Sequence, residues 1–308
     1  MIIIIHCIHG LGNKIFDLII GSYIQYLNGG QIYFVNVRGY HDKKTDSKID
    51  EIFPNLKENI KFISETEMHN IKNNIKDKLL SLKKFHINSL DDLDFKNRYD
   101  GIYLFNIYYL YKYIYEIYKI FSEKINKNFK INNNLLNDKI KEISKTKYAA
   151  LHIRYGDKLN ISLEKDRTYD FLIYKPEFYI KMINKFIRKN IKVYIFSDDE
   201  NIVKKFILDK IDNDLNKVEL LQSTNVEALY LMSNAKYLVL SMSTLSIFAG
   251  LINKKLKRAY LVTRTRDIER FKQNEEFIIN NIKWVKYSDK KYILNYDTKL
   301  IKNMIDSR

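Results

Sequence analysis

The chain has 308 residues, of which 46% are hydrophobic, so a full core is available for one large domain or two medium ones. A single cysteine excludes any disulfide framework within the chain and any cysteine-based zinc spacing. The formal charge of +16 would suit nucleic acid, an anionic membrane surface or a phosphorylated ligand. Its lysines, however, are scattered rather than clustered, and read as solvated faces.

In chain order, residues 2–8 are short and β-branched and predict a buried strand, with Cys7 a small core residue in it. The stretch "HGLGNK" interrupts that strand. Ile15, Phe16, Leu18, Ile19, Tyr23 and Tyr26 then recur at helical spacing until Gly29 and Gly30 stop them, and "QIYFVNV" predicts a second strand. This β-loop-α-β pattern opens a parallel sheet. Residues 41–100 are polar without a strong period and predict loops and short helices. The second half of the tyrosine-rich stretch 99–121 predicts a well-buried helix, and 123–147 a polar link with a short helix in it.

From 147 the pattern is regular. "KYAALHIR", "KVYIFSDD", "KVELLQ", "YLVLS" and "RAYLVT" read as strands. Between them "KPEFYIKMINKFIRK", "ENIVKKFILDKI", "NVEALYLMSNAK" and "STLSIFAGLINK" read as helices, with Pro176 in the first turn of its helix, where proline is tolerated. Strands and helices alternating in this way predict an α/β fold with a doubly wound parallel sheet. No internal repeat stands out. The N-terminal "MIIIIHCIHGLG" has no basic region before it and is too short to cross a bilayer, so the expectation is a soluble cytoplasmic chain, peripheral to a membrane at most.

Three polar clusters fall at the carboxyl ends of predicted strands, where ligands of open α/β sheets bind. His152, Arg154, Gly156 and Asp157 follow the first. As residues i and i+2 of a strand, His152 and Arg154 are expected to share a face. Asp198 and Asp199 follow the second, and could hold ribose hydroxyls or a base edge. Ser243, Thr244 and Ser246 follow the third and open a helix, where hydroxyls and backbone N–H groups suit an anion. Arg154 is the always-charged planar donor that suits a phosphate. Together these residues describe a pocket for a nucleotide carrying phosphates. Each also has a plainer reading: Arg154–Asp157 as an ion pair beside a turn, His152 as a core histidine, Ser243 and Thr244 as caps, and "SDD" as a helix start.

Several motifs fail. Gly10 and Gly12 begin a Gly-x-Gly-x-x-Gly fingerprint, but Ile15 stands where its third glycine belongs. There is no Walker A lysine motif, no Gly-x-Ser-x-Gly elbow and no pair of zinc histidines. Asn13 is expected at the start of a helix facing the cleft. The densest basic run, 254–270, contains Arg264 and Arg266, which either extend the pocket or decorate the surface.

In order along the chain, "HGLGNKIFDLIIGSYI", "YDGIYLFNIYYL", "ALHIRYGDKL", "YKPEFYIKMI", "VYIFSDDENIVKKF" and "ALYLMSNAKYLVLSMSTLSIFAGLIN" resemble the α-1,2-fucosyltransferases of glycosyltransferase family 11, over roughly residues 9–253. The resemblance implies a GT-B-like pair of Rossmann-type domains, an acceptor-side domain at 1–140 and a donor-binding domain at 141–308. It implies an inverting transfer of fucose from GDP-fucose to a hydroxyl of a glycan acceptor, with no cofactor, no metal and no nucleic-acid partner. By matching positions it places Arg154 at the donor's β-phosphate and His152 near the guanine and ribose. It further places Asp198 and Asp199 at the nucleoside, Ser243 and Thr244 at the pyrophosphate, and Gly12 and Asn13 on a loop facing donor and acceptor. The general base is left open among His9, Asp17 and Asp157. The chain departs from the family pattern at Tyr155, which replaces a second arginine, at Ile247 and Phe248, which replace tryptophans, and in "GIYLFN". The alternatives are another nucleotide sugar on the same fold, a non-catalytic nucleotide- or sugar-binding relative, and a nucleic-acid-binding protein.

Overall fold

The computed structural model describes residues 1–35, 37, 48–82, 87–95, 98–105, 107–163, 173–211, 214–261, 292–294 and 297–308. They divide into two compact units, Met1–Leu135 and Leu136–Arg308, just ahead of the boundary expected from sequence.

The first unit is a five-stranded, wholly parallel sheet. Strand β1 (Ile2–His6) leads into helix α1 (Leu11–Asn28), β2 (Gln31–Val35) and the short α2 (Ile49–Ile52). After β3 (Ile60–Ile63) come α3 (Glu65–Asn74), β4 (Leu79–Ser81), β5 (Gly101–Phe105) and α4 (Ile114–Asn128). The spatial order is β3-β2-β1-β5-β4, so β1 sits at the centre. Ile3, Ile5, Ile32, Phe34, Ile102 and Leu104 alternate onto one face and are wholly buried. Helix α1 lies close to that sheet because Gly21 has no side chain; a Cβ there would run into Ile5. On the opposite face α3 covers Ile4, Val35 and Ile63 with Met68. A capping box fixes its start, with Ser64 and Glu67 satisfying each other's backbone N–H groups.

Two expectations are corrected here. The polar region 41–100 contains two strands as well as helices, because edge strands of three or four residues are too short to show a period among lysines. In 99–121, residues 101–105 form a strand paired with β1. The helix after it is only partly buried, with Ile120 exposed.

The second unit begins with α5 (Asp138–Lys145), capped by Asn137. Then come β6 (Tyr148–Ile153), α6 (Gly156–Ser162), α7 (Pro176–Ile187), β7 (Lys192–Ser197), α8 (Glu200–Phe206), β8 (Val218–Leu220), α9 (Asn225–Asn234), β9 (Tyr237–Val239), α10 (Thr244–Ile252), β10 (Arg258–Tyr260) and α11 (Thr298–Ile305). Its sheet is also five-stranded and parallel, in the order β10-β9-β6-β7-β8. Every residue of β6 is buried, as a central parallel strand covered on both faces requires. Both units therefore place their first strand centrally, with the next two strands of the chain (β2 and β3, β7 and β8) running outward on one side. No repeat in the sequence marks this correspondence. Among the described residues no helix is long and apolar enough to cross a membrane. Arg264 and Arg266 lie outside the described residues.

Candidate active site

In an open parallel sheet the chain leaves a crevice at the carboxyl ends of the two strands between which the winding direction reverses. In the second unit these are β6 and β9, the strands that carry two of the polar clusters. His152, the penultimate residue of β6, is hydrogen-bonded through Nδ1 to Ser241 Oγ, just past β9, at 2.6 Å. This contact ties the two strand ends together. Burial, reinforced by the neighbouring Arg154 charge, holds the His152 imidazole down to about 3, so the ring is neutral at physiological pH.

The strand ends at Ile153, and Arg154 lies beyond it at the turn into α6. The two residues therefore do not form the strand pair expected from sequence: His152 reaches Ser241, while Arg154 reaches two carboxylates. Its Nη2 donates to Asp157 Oδ1 at 2.9 Å and its Nη1 pairs with Asp198 Oδ2 at 2.6 Å. Asp198 Oδ1 in turn accepts the Tyr155 backbone N–H at 2.9 Å. Burial pushes the Asp198 carboxyl up, against the opposing pull of Arg154 and that N–H. The turn needs glycine at 156, because a Cβ would run into the Asp198 carboxylate. Asp157 also meets Lys158 Nζ at 3.4 Å. Among the described residues, Asp157 and Asp198 take part of the five-donor guanidinium fork and fix it in place.

Asp199 caps α8, its Oδ1 accepting the Ile202 N–H at 3.2 Å. Its Oδ2 takes the Nε–H of Arg308 at 2.7 Å. Arg308 also donates to the Gly156 carbonyl and to Asn160 Oδ1. The acidic pair expected to face a nucleoside thus first braces the arginines at the site. Sequence reading missed Arg308, which no local motif marks. It joins the cluster only because α11 packs on α6.

Ser243 caps α10 without a side-chain hydrogen bond, and it and Thr244 are half-exposed at the helix start, where the backbone dipole favours an anion. Ser246 differs from the expectation. Its hydroxyl is wholly buried and donates to the Ser241 and Ser243 carbonyls, so it shapes the turn and is not presented to a ligand. Tyr155 is a core residue, with its hydroxyl on the Tyr174 carbonyl at 2.9 Å and its ring edge-on to Tyr179.

Gly12 and Asn13 lie in the first turn of α1, at the carboxyl end of β1 in the first unit. Tyr111 Oη donates to the Asn13 carbonyl at 3.3 Å and to Asp17 Oδ1 at 2.9 Å. Asp17 is buried beside Cys7, and burial pushes its carboxyl up to about 7. Burial, with Asp17 beside it, likewise pushes the Cys7 thiol up, so it is no nucleophile. Of the three candidate bases, Asp17 is shut in the core and Asp157 is held by Arg154 and Lys158. His9 is half-buried. Among the described residues no group of three or more His, Cys, Asp and Glu side chains could hold a metal ion.

The family described as Glycosyl transferase family 11 matches residues 1–288. No curated protein matches the chain. Among solved structures, the chain is similar to the fucosyltransferase NodZ from Bradyrhizobium at 10% identity and a TM-score of 0.49, covering 84% of this chain and 94% of that one. It is similar to POFUT1 in complex with GDP-fucose at 12% identity and a TM-score of 0.49, over 84% and 97% of the two chains. A further structure, NodZ alpha-1,6-fucosyltransferase soaked with GDP-fucose, has a TM-score of 0.46 at 10% identity, over 84% and 93%. Likeness at these scores leaves the reading of this chain to its family and its own residues.

Proposed function

The chain belongs to glycosyl transferase family 11 and is a glycosyltransferase, and from that premise we propose that it moves fucose from GDP-fucose to a hydroxyl of a glycan acceptor. The transfer inverts the anomeric carbon, makes an α-1,2 linkage and needs no metal ion. Residues 141–308 bind the donor and 1–140 serve the acceptor.

The observation that carries this reading is the Arg154 guanidinium, fixed by Asp157 and Asp198 at the carboxyl edge of β6. As the bond from C1 to the diphosphate oxygen breaks, negative charge develops on the leaving group. A charge already oriented by two carboxylates stabilises it without reorganising at the moment of reaction. The start of α10, with Ser243 and Thr244, supplies amide and hydroxyl donors to the same diphosphate. Asp198, Asp199 and His152 shape the nucleoside end, His152 as a neutral ring. Gly156 and Asp157 hold the turn that carries Arg154.

The test is a thermal-shift panel of GDP, GDP-fucose, GDP-mannose, UDP-sugars and dTDP-sugars, since a ligand that binds only the folded state raises its apparent stability. A selective rise with GDP and GDP-fucose supports the reading. A rise only with uridine or thymidine compounds overturns the donor. No rise with any of them overturns nucleotide-sugar binding, and nucleic acid becomes the next ligand tried.

A further inference from the structure

Helix α11 is pinned in the second unit at both ends. At its start Asp297 caps it, accepting the Leu300 N–H at 3.1 Å, and takes Lys175 Nζ at 2.9 Å. Ile301 and Met304 are wholly buried. Just past its end, the Arg308 carbonyl accepts Asn201 Nδ2 of α8 at 3.4 Å. The Arg308 side chain then bridges two turns. Its Nε–H donates to Asp199 Oδ2 at 2.7 Å, beyond β7. Its Nη2 donates to the Gly156 carbonyl and its Nη1 to Asn160 Oδ1 at 3.4 Å, both on α6 beyond β6. The Asp199 side chain keeps 11% exposure, so its charge has lost most of its water and depends on a partner. Tyr155 lies in the core, so the turn 154–157 has one arginine of its own, and Arg308 brings a second guanidinium to it. Each arginine spans both strand ends, Arg154 from Asp157 to Asp198 and Arg308 from Gly156 to Asp199. Three carboxylates, Asp157, Asp198 and Asp199, thus meet three cations, Arg154, Lys158 and Arg308.

We propose that Arg308 is a positioning residue of the nucleotide site. It clamps the turn that carries Arg154 to the turn that carries Asp198 and Asp199, and so sets the spacing between the groups for the diphosphate and those for the nucleoside. The inference rests on the nucleotide-sugar reading above. Arg308 acts through its partners in two ways. The first is orientation. Asp199 Oδ1 accepts the Ile202 N–H and Oδ2 accepts Arg308, so the carboxylate is held in one orientation, as a preorganised site requires. On the other side, the Gly156 carbonyl fixes the backbone between Arg154 and Asp157. The second is charge. With Arg308 the three carboxylates are balanced by three cations; without it they face two, and an incoming diphosphate meets a net negative charge at the strand ends.

The experiment first finds, by thermal shift, which of GDP, UDP and dTDP binds the wild-type protein. That nucleotide is then titrated by calorimetry into wild type, Arg308→Ala, Asp199→Asn, the double variant and Lys175→Met, with the unfolding midpoint of each measured alongside. Arg308→Ala is expected to lower affinity ~10–100-fold, the range known for partners that orient metal-binding side chains. In the Asp199→Asn background the same change costs ~3-fold or less, because the two side chains act as a unit. Lys175→Met breaks the other tether of α11, lowers the unfolding midpoint and leaves affinity unchanged, which separates the clamp from general loosening of the helix. Wild-type affinity in folded Arg308→Ala, additive losses in the double variant, or an equal loss in Lys175→Met overturns the proposal. If Arg308→Ala does not fold, Arg308→Lys takes its place: it keeps the charge but not the fork that spans Asp199 and Gly156, and wild-type affinity there overturns the clamp. Binding of UDP or dTDP in place of GDP overturns only the donor reading, since the clamp is then measured on the nucleotide that binds. Binding of none of them to the wild-type protein overturns both.

Discussion

Arg154→Ala is the sharpest perturbation of the proposed donor site. In the wild-type protein the guanidinium bridges Asp157 at 2.9 Å and Asp198 at 2.6 Å. Removing one partner of a buried pair costs ~3–5 kcal/mol. These side chains keep 21–30% exposure, so water shares the load and a loss of about 1–3 kcal/mol in stability is expected. Catalysis should suffer separately. Losing a preorganised donor to a developing anion lowers turnover about 100-fold, or about 2.7 kcal/mol of transition-state stabilisation. Arg154→Lys keeps the charge but not the fork that spans two carboxylates, so it should recover only part of the rate. The assay is nucleotide release from GDP-fucose with acceptor, alongside circular dichroism to confirm the fold and a GDP thermal shift to follow binding. A folded Arg154→Ala protein with the wild-type rate and GDP shift would refute the reasoning.

Gly156→Ala forces a Cβ into the Asp198 carboxylate and should cost ~1–3 kcal/mol, the scale of overpacking, seen as a lower unfolding midpoint together with a weaker GDP shift. His152 binds a proton less readily folded than unfolded, because its pKa falls to about 3. Its contribution to stability is therefore complete above about pH 6.5 and is lost by up to ~1.4 kcal/mol per pH unit as pH falls toward 3. Asp17 runs the other way: with its pKa raised to about 7, its contribution is complete below about pH 4 and fades as pH rises through 7. Urea titrations at several pH values should show His152→Gln flattening the acidic loss and Asp17→Asn gaining stability at pH 8 relative to wild type. Transfer in the presence of EDTA should equal transfer without it; a loss restored by a divalent cation would overturn the metal-free step.

The sequence alone determined much of the second unit. A run such as "YAALHI" can only be a central strand, because its apolar residues leave no solvent face, and the helices between such runs dictate parallel crossovers. Polar residues that follow those runs must lie at the carboxyl edge, which is why His152, Arg154, Asp157, Asp198 and Ser243 were legible as a candidate site. The plainer readings were legible too, and the structure shows two of them: Arg154 pairs with Asp157, and Asp199 caps its helix. The first unit was harder to read. Strands of three or four residues at sheet edges carry no usable period, so β3 and β4 went unseen among lysines and asparagines.

What only the tertiary structure decided is which charge meets which. Arg308 joins Asp199, 109 residues away, and His6 finds Tyr103 on β5 and Glu65 at the start of α3. Local propensity and periodicity reach along one element and say which face a side chain takes. They carry no information on which distant loop will stand opposite it. The apolar pattern settled where the strands run, and the pairing of polar groups at their ends was settled only when the strands took their places in the sheet.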